Sequence, residues 1–313
     1  IQRPANNMES DTLTTHFDYH SISERLVKLD ILGHDDPTVI KMLEELTHRD
    51  PETIPFDDPA TMSIFTSTEA LGITPEELGV NMGTYGIPEF RTSFTQKMID
   101  DSHPDCFADL VRISGFSHGT NVWLGNAQDL IKAGTSTLKD AISARDDIMN
   151  YLMQNGIDPL LSFKTMENVR KGKGIANDVV EKLRAGGIPE WYIDSCQKIK
   201  YLFPRAHATA YVMMGYRIAF CKVHYPLAYY AAYFSIRADE FDANIISKGK
   251  MAVKAAIDAL NAEAHEHRGK LDNKKQDILI VLQLAWEMYL RGFSCEPVDL
   301  YASDAEKFIL HEN

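Results

Sequence analysis

A short segment that combines cations with glycines offers the most direct chemistry in this sequence. Arg170, Lys171 and Lys173 share the five residues 170–174 with two glycines. Such a flexible, positively charged loop suits a triphosphate or the phosphates of a nucleic acid. It is not a Walker loop, because GxxxxGK[ST] is absent, and the alternative is a loop whose charges are simply solvated.

A lysine and an aspartate stand two residues apart in a segment that is otherwise largely apolar. The stretch Arg25–Gly33 predicts a buried strand, in which Lys28 and Asp30 lie on the same face. Unpaired buried charge is costly, so both side chains need partners. Either they form a structural ion pair at a sheet edge, or Asp30 ligates a hard cation such as Mg²⁺ while Lys28 contacts a phosphate.

A histidine and a tyrosine share one face of a predicted helix. His207, Tyr211 and Gly215 fall at i, i+4 and i+8 after Pro204 ends the preceding helix. This face leaves room for a flat ring to stack, and the alternative is a capping histidine beside a core tyrosine. The opposite face is expected to bury the large apolar side chains Val212, Met213, Tyr216 and Phe220.

The charge of the chain is unevenly distributed. The 313 residues carry a net charge of −13, but residues 163–222 contain eleven Lys/Arg and five Asp/Glu, so this stretch is +6 and the remainder −19. A basic stretch in an acidic chain is expected for a local polyanion site, although solvated helix faces would give the same count. The longest nearly apolar run, Ile278–Leu290, is too short to cross a bilayer, so no membrane partner is expected.

Other catalytic patterns are absent or weak. Ser117 and His118 are adjacent, but the members of a catalytic triad come from distant segments. The motifs GxSxG, HExxH and GxGxxG do not occur. The four cysteines form no CxxC pair or Cys/His cluster, which is typical of free thiols in a reducing cytoplasm.

The elements that would position these residues are mostly helical. An Asp or Thr that caps a helix beginning with proline is predicted at Asp36, Asp58, Thr74 and Asp158. Further helices are predicted along most of the chain, whereas Arg25–Gly33 and the C-terminal sequence CEPVDLYASDAEKFIL are predicted to form short strands. The expected fold class is mainly α.

Several longer motifs occur in a characteristic order. They are HFDYHSI at 16–22, LVKLDILGHDDPTVI at 26–40, ISGFSHGTNVWLGNAQ at 113–128, VRKGKG at 169–174 and WYIDSCQKIKYLFPRAHATAYVMM at 191–214. Together they resemble the bacterial C-family replicative DNA polymerases, the alpha subunit of DNA polymerase III, and most closely the PolC type. The similarity extends from residue 1 to about residue 310.

The resemblance implies an architecture. It predicts a small β-containing remnant of a nucleotidyltransferase palm at 1–48, a large helical fingers domain at 49–237, and the helical start of the duplex-binding region at 238–313. The chain is then expected to be a fragment of a cytoplasmic, DNA-directed DNA polymerase. The other two catalytic carboxylates would lie outside it, so the fragment alone is expected to be inactive.

The resemblance also implies catalytic residues and a cofactor. Asp30 matches the third metal-binding carboxylate of the family, so Asp30 and Lys28 are the expected catalytic residues, with Mg²⁺ bound by Asp30. Two Mg²⁺ ions would activate the primer 3′-hydroxyl and stabilise the leaving pyrophosphate.

The same resemblance implies the binding partners. Arg170, Lys171 and Lys173 would face the triphosphate of an incoming deoxynucleotide, with His207 and Tyr211 near the nucleotide. Template–primer DNA is the second expected partner, and the sliding clamp and replisome would be contacted through parts outside this chain. The alternative is a stand-alone helical module that binds nucleic acid or nucleotides without catalysis.

Overall fold

The chain is divided into two compact units, residues 1–34 and 35–313. The computed structural model describes residues 2–27, 29, 33–266 and 269–311. The first unit contains the short helix α1 (Tyr19–Ile22) and an antiparallel bridge between Gln2 and Thr14.

The strand predicted at Arg25–Gly33 is not found at those of its residues that are described. Lys28 and residues 30–32 lie outside the described residues, and the prediction for Asp30 lies outside them too.

The second unit is built from helices, which confirms the mainly α prediction. In the described part of the chain they are α2 (Asp35–Thr47), α3 (Pro59–Ser63), α4 (Pro75–Leu78), α5 (Ser93–Ser102), α6 (Phe107–His118), α7 (Gln128–Lys132), α8 (Arg145–Gln154), α9 (Pro159–Arg170), α10 (Asn177–Ala185), α11 (Glu190–Lys198), α12 (Arg205–His224), α13 (Pro226–Ile236), α14 (Ala243–Ile246), α15 (Lys250–Glu266) and α16 (Asn273–Leu290). None of the described helices has both the length and the apolar character needed to cross a membrane.

Three of the four predicted helix caps are confirmed. The side chains of Asp58, Thr74 and Asp158 accept hydrogen bonds from backbone N–H groups of the first turns of α3, α4 and α9. The prediction for Asp36 is wrong, because α2 begins at Asp35, two residues before the predicted first residue Pro37, and Asp36 is buried in an ion pair with Arg237. Arg237, which is 201 residues away in the sequence, therefore binds the carboxylate that the local sequence predicted to cap the helix.

Helix α12 lies at the centre of the second unit, where it packs against α2, α3, α6 and α13. Its buried Tyr216 ring contacts the rings of Phe56, Phe65 and Phe107 at centroid distances of 5.7, 6.2 and 5.7 Å. Aromatic side chains bury large areas, so this cluster fixes the axis of α12.

The strands predicted for the C-terminal sequence are wrong. Asp299 and Asp304 each accept two backbone N–H bonds from the residues that follow, which forms turns instead. Phe308 then packs its ring on Phe234 and Phe241. The N–H of Phe308 donates to Ser235 Oγ at 2.8 Å, so this segment is held by side chains where strand pairing was predicted.

Candidate functional site

The basic loop (residues 170–174) has a fixed backbone. Gly172 has φ of 70°, and a Cβ there would stand 2.6 Å from the carbonyl oxygen of Lys200, so only glycine fits. The N–H of Leu202 donates to the carbonyl of Arg170 at 3.4 Å. The loop, for which two glycines predicted flexibility, is therefore joined to the segment 200–202 at Arg170 and Gly172.

A glutamine of α11 holds the end of the basic loop. The Gln197 side chain accepts a hydrogen bond from the N–H of Ile175 at 3.1 Å and donates one to the carbonyl of Ile175 at 2.8 Å. A side-chain amide that satisfies both backbone groups of one residue acts as a two-point clamp. This residue was not identified from the sequence.

Two of the three predicted phosphate ligands are paired with one glutamate. Arg170 forms a forked contact with Glu167, and Lys171 Nζ lies 2.9 Å from Glu167 Oε2. The hydrogen bonds from Arg170 lower the pKa of Glu167 to about 2, so the carboxylate is charged. The exposed Lys173 has no carboxylate within ion-pair distance among the described residues, and neither does the exposed Lys200.

The predicted helix face is part of a row of four rings (the ring row: His118, Phe203, His207 and Tyr211). The ring of His118 stacks on Phe203 with a centroid distance of 4.8 Å and an interplanar angle of 26°. Phe203 meets His207 edge to face at 4.9 Å, and His207 meets Tyr211 at 4.6 Å. His207 is exposed and Tyr211 is half-buried, so neither ring is sealed in the core.

The ring row and the basic loop meet at one short segment. Leu202 bonds to Arg170 on one side, and the next residue, Phe203, enters the ring row on the other. A further backbone bridge joins Tyr201 to Thr120. Residues 202–203 therefore join the two segments that the sequence predicted separately, one with Arg170, Lys171 and Lys173 and the other with His207 and Tyr211.

The opposite face of α12 is buried, largely as predicted. Val212, Tyr216 and Phe220 are buried, whereas Met213 is half-buried. The expectation that Gly215 extends the open face is wrong. A Cβ at that position would stand 3.0 Å from the carbonyl oxygen of Pro88, so the chain itself occupies the space.

The adjacent Ser117 and His118 do make contact, but they do not form a nucleophile–base pair. Ser117 Oγ lies 3.0 Å from His118 Nδ1, and the carbonyl of Ser114 lies 2.8 Å from the same nitrogen. Because a carbonyl oxygen can only accept, Nδ1 carries a proton and is no base toward Ser117. His118 Nε2 faces Glu89 Oε2 at 3.3 Å.

A lysine at the far end of α12 is completely buried (the buried lysine cluster: Lys222, Glu287 and Tyr230). Lys222 Nζ donates to the carbonyls of Gly83 and Tyr85 at 2.8 and 2.6 Å and to Glu287 at 2.9 Å. Tyr230 donates its hydroxyl to the other oxygen of Glu287 at 2.7 Å. Burial lowers the pKa of Lys222 to about 8, although the adjacent Glu287 opposes the shift.

The predicted metal ligand Asp30 and its neighbour Lys28 lie outside the described residues. Within the described part of the chain, one group of three possible ligands lies close together: Asp105, Cys106 and Asp109. Mg²⁺ prefers oxygen ligands, so a set that contains a thiol does not replace the predicted site.

Comparison with known proteins defines the class of this chain. Residues 36–188 match the finger domain of the bacterial DNA polymerase III alpha subunit. Over 100% of the chain, the sequence is 57% identical to DNA polymerase III PolC-type of Caldanaerobacter subterraneus subsp. tengcongensis, 54% identical to that of Clostridium perfringens and 53% identical to that of Bacillus subtilis. The matched domain and these relatives all fall in one class of protein, the DNA polymerases.

The chain belongs to the bacterial DNA polymerase III alpha-subunit family, in its PolC-type branch. It spans only 21–22% of the length of these three relatives. Its matched part is the fingers region, which agrees with the helical architecture.

Proposed function

We propose that this chain is the fingers region of a replicative, DNA-directed DNA polymerase and that it binds the incoming deoxynucleotide triphosphate. The observation that carries the proposal is the meeting of the basic loop with the ring row at residues 202–203. A triphosphate needs fixed cations, and a base or sugar needs a flat apolar surface. This surface offers both within one contiguous stretch.

Lys173 is the cation best suited to contact the triphosphate first. Its exposed ammonium group has no carboxylate partner among the described residues, so binding costs it no existing ion pair. Arg170 and Lys171 are held in position by Glu167 and share its single negative charge. The three cations and one carboxylate leave a net charge of about +2 for a triphosphate to meet.

The remaining predicted parts are proposed on the family relationship. Asp30 would bind a divalent metal ion, for which we propose Mg²⁺, with Lys28 beside it. The bounds 1–48, 49–237 and 238–313 are proposed for palm remnant, fingers and duplex-binding region. Template–primer DNA is the proposed second substrate, the sliding clamp and replisome are proposed partners of the complete polymerase, and the bacterial cytoplasm is the proposed location.

The proposal is tested by replacing Arg170, Lys171 and Lys173 together by alanine in the complete polymerase. We expect the KM for deoxynucleotide triphosphate to rise by at least about tenfold, since charge-assisted contacts to phosphate are lost. Lys182→Ala is the matched control, because Lys182 is exposed in the same basic stretch but lies on α10 and is paired with Asp178. The salt dependence of DNA binding is measured in parallel.

The two readouts separate nucleotide from DNA contacts. Each lost DNA phosphate contact lowers the slope of log K against log salt by about 0.9. An unchanged slope with a raised KM supports the proposal. A slope that falls by two or three units with an unchanged KM would mean that these residues contact the DNA and not the nucleotide. If neither the slope nor the KM changes, the basic loop takes no part in substrate binding.

A further inference from the structure

His118 is held more firmly than an exposed histidine needs to be. Its side chain is 39% exposed, yet both ring nitrogens face oxygen atoms: Nδ1 the carbonyl of Ser114 at 2.8 Å and Nε2 the carboxylate of Glu89 at 3.3 Å. Ser114 Oγ also donates to the same Glu89 oxygen at 3.1 Å. Two contacts at opposite ends of an imidazole fix the plane of the ring.

The residue that completes this arrangement has a strained backbone. Glu89 has a backbone φ of 70°, in the left-handed region that non-glycine residues rarely adopt. A side-chain residue in the left-handed region costs free energy and persists where surrounding contacts require it. In this conformation the Glu89 side chain contacts Ser114 and His118.

Phe203 links His118 to His207 through two ring contacts. Its carbonyl accepts a hydrogen bond from the N–H of Arg145 at 3.1 Å, which fixes the backbone, and its ring lies between His118 and His207. The N-terminus of α12 is fixed as well, because the N–H of Arg205 donates to Asp146 at 2.8 Å. The Phe203 ring contacts the rings of His118 and His207 and also packs against the hydrophobic core.

We propose that His118 is a positioning residue that sets the orientation of His207 through Phe203, and that Glu89 holds His118 in place. The inference rests on the proposed function, in which His207 faces the nucleotide. Core packing alone does not explain the arrangement, since His118 is exposed and both of its ring nitrogens face oxygen atoms. Stacked and edge-to-face contacts are directional, so the orientation of each ring in the series His118, Phe203 and His207 depends on the ring before it.

The first experiment measures steady-state kinetics of the complete polymerase with deoxynucleotide triphosphate as the varied substrate. His118→Ala should raise the KM about three- to tenfold, the range of one lost aromatic contact, with kcat changed less than about twofold. His118→Phe keeps a flat ring against Phe203 and should recover most of the lost affinity, whereas His118→Leu should not. Equal KM values for the Phe and Leu variants would overturn the proposal.

The second experiment is a double-mutant cycle with His207→Ala. If His118 acts through His207, the double variant should have the KM of His207→Ala alone, because there is no ring left to position. If the KM of the double variant instead rises by the product of the two single effects, the proposal is overturned and the proposed function stays intact. An unchanged KM for His207→Ala alone would instead remove His207 from the nucleotide site.

Urea unfolding of the 313-residue chain checks that His118→Ala folds like the parent. A large loss of stability would assign His118 to the core and overturn the proposal.

Discussion

The lysines near the two ends of α12 differ in burial and in pairing. At the buried end, Lys222 is fully enclosed and gives all three of its N–H groups to oxygen acceptors. At the exposed end, the neighbouring basic loop leaves Lys173 in solvent with no carboxylate partner among the described residues. The comparison teaches that the charge at the first end is a structural component, whereas the charge at the second is available to a ligand.

The largest expected effect comes from the buried end. Lys222→Met should lower the free energy of unfolding by about 3–5 kcal/mol, because it leaves Glu287 buried without a cation. Urea denaturation of the 313-residue chain, followed by circular dichroism, measures the loss. His207→Ala, on the same helix, is the control and should lose no more than about 1–2 kcal/mol, the worth of its ring contacts.

A second variant separates the charge from the packing at this end. Replacing both partners, Lys222→Met with Glu287→Leu, should recover part of the loss, since no unpaired charge then remains. Equal losses for Lys222→Met and His207→Ala would contradict the distinction between the two ends.

The next effect concerns the backbone of the basic loop. Gly172→Ala should cost about 2–4 kcal/mol, because it forces an alanine into the left-handed region and its methyl group into the carbonyl of Lys200. Gly134→Ala is the matched control, since Gly134 has φ of 67° but nothing within 4 Å of the added Cβ. Its expected cost is about 1–2 kcal/mol. Equal costs would mean that the loop yields easily and is not held by residue 200.

The smallest expected effect depends on pH. Glu167→Gln should cost about 0.5–1 kcal/mol at pH 7, typical of a partly exposed ion pair. The pKa of Glu167 is lowered from 4.5 to about 2, so its stabilisation is complete above pH 4.5 and is lost as the pH falls toward 2. Urea denaturation at pH 7, 5, 4 and 3 should show the difference between parent and variant shrinking across this window. A difference that stays constant down to pH 3 would mean that Glu167 stabilises by packing.

Local patterns in the sequence predicted those features that depend on neighbours along the chain. Capping by Asp58 and burial of Tyr216 follow from residues within two helical turns. The pairing of Glu167 with Arg170 and Lys171 was also readable, because i+3 and i+4 side chains are neighbours on a helix, but this signal was missed.

The remaining features join distant parts of the chain. Lys222 and Glu287 are 65 residues apart, and His118 and Phe203 are 85 residues apart. The local periodicity of the sequence therefore predicts neither contact. The ring row could be predicted only from His207 onward. Its first ring, His118, lies on α6, so its place in the row depends on how α6 packs against α12.

Because α12 is long, a small tilt at the buried lysine cluster would displace its other end by several ångströms. At about 1.5 Å per residue, His207 lies about 22 Å along the axis from Lys222, so a tilt of about 10° at this cluster would displace His207 by about 4 Å. That displacement exceeds the tolerance of a stacked contact. The hydrogen bonds around Lys222 therefore help to position a side chain about four helical turns away, which Lys222 does not touch.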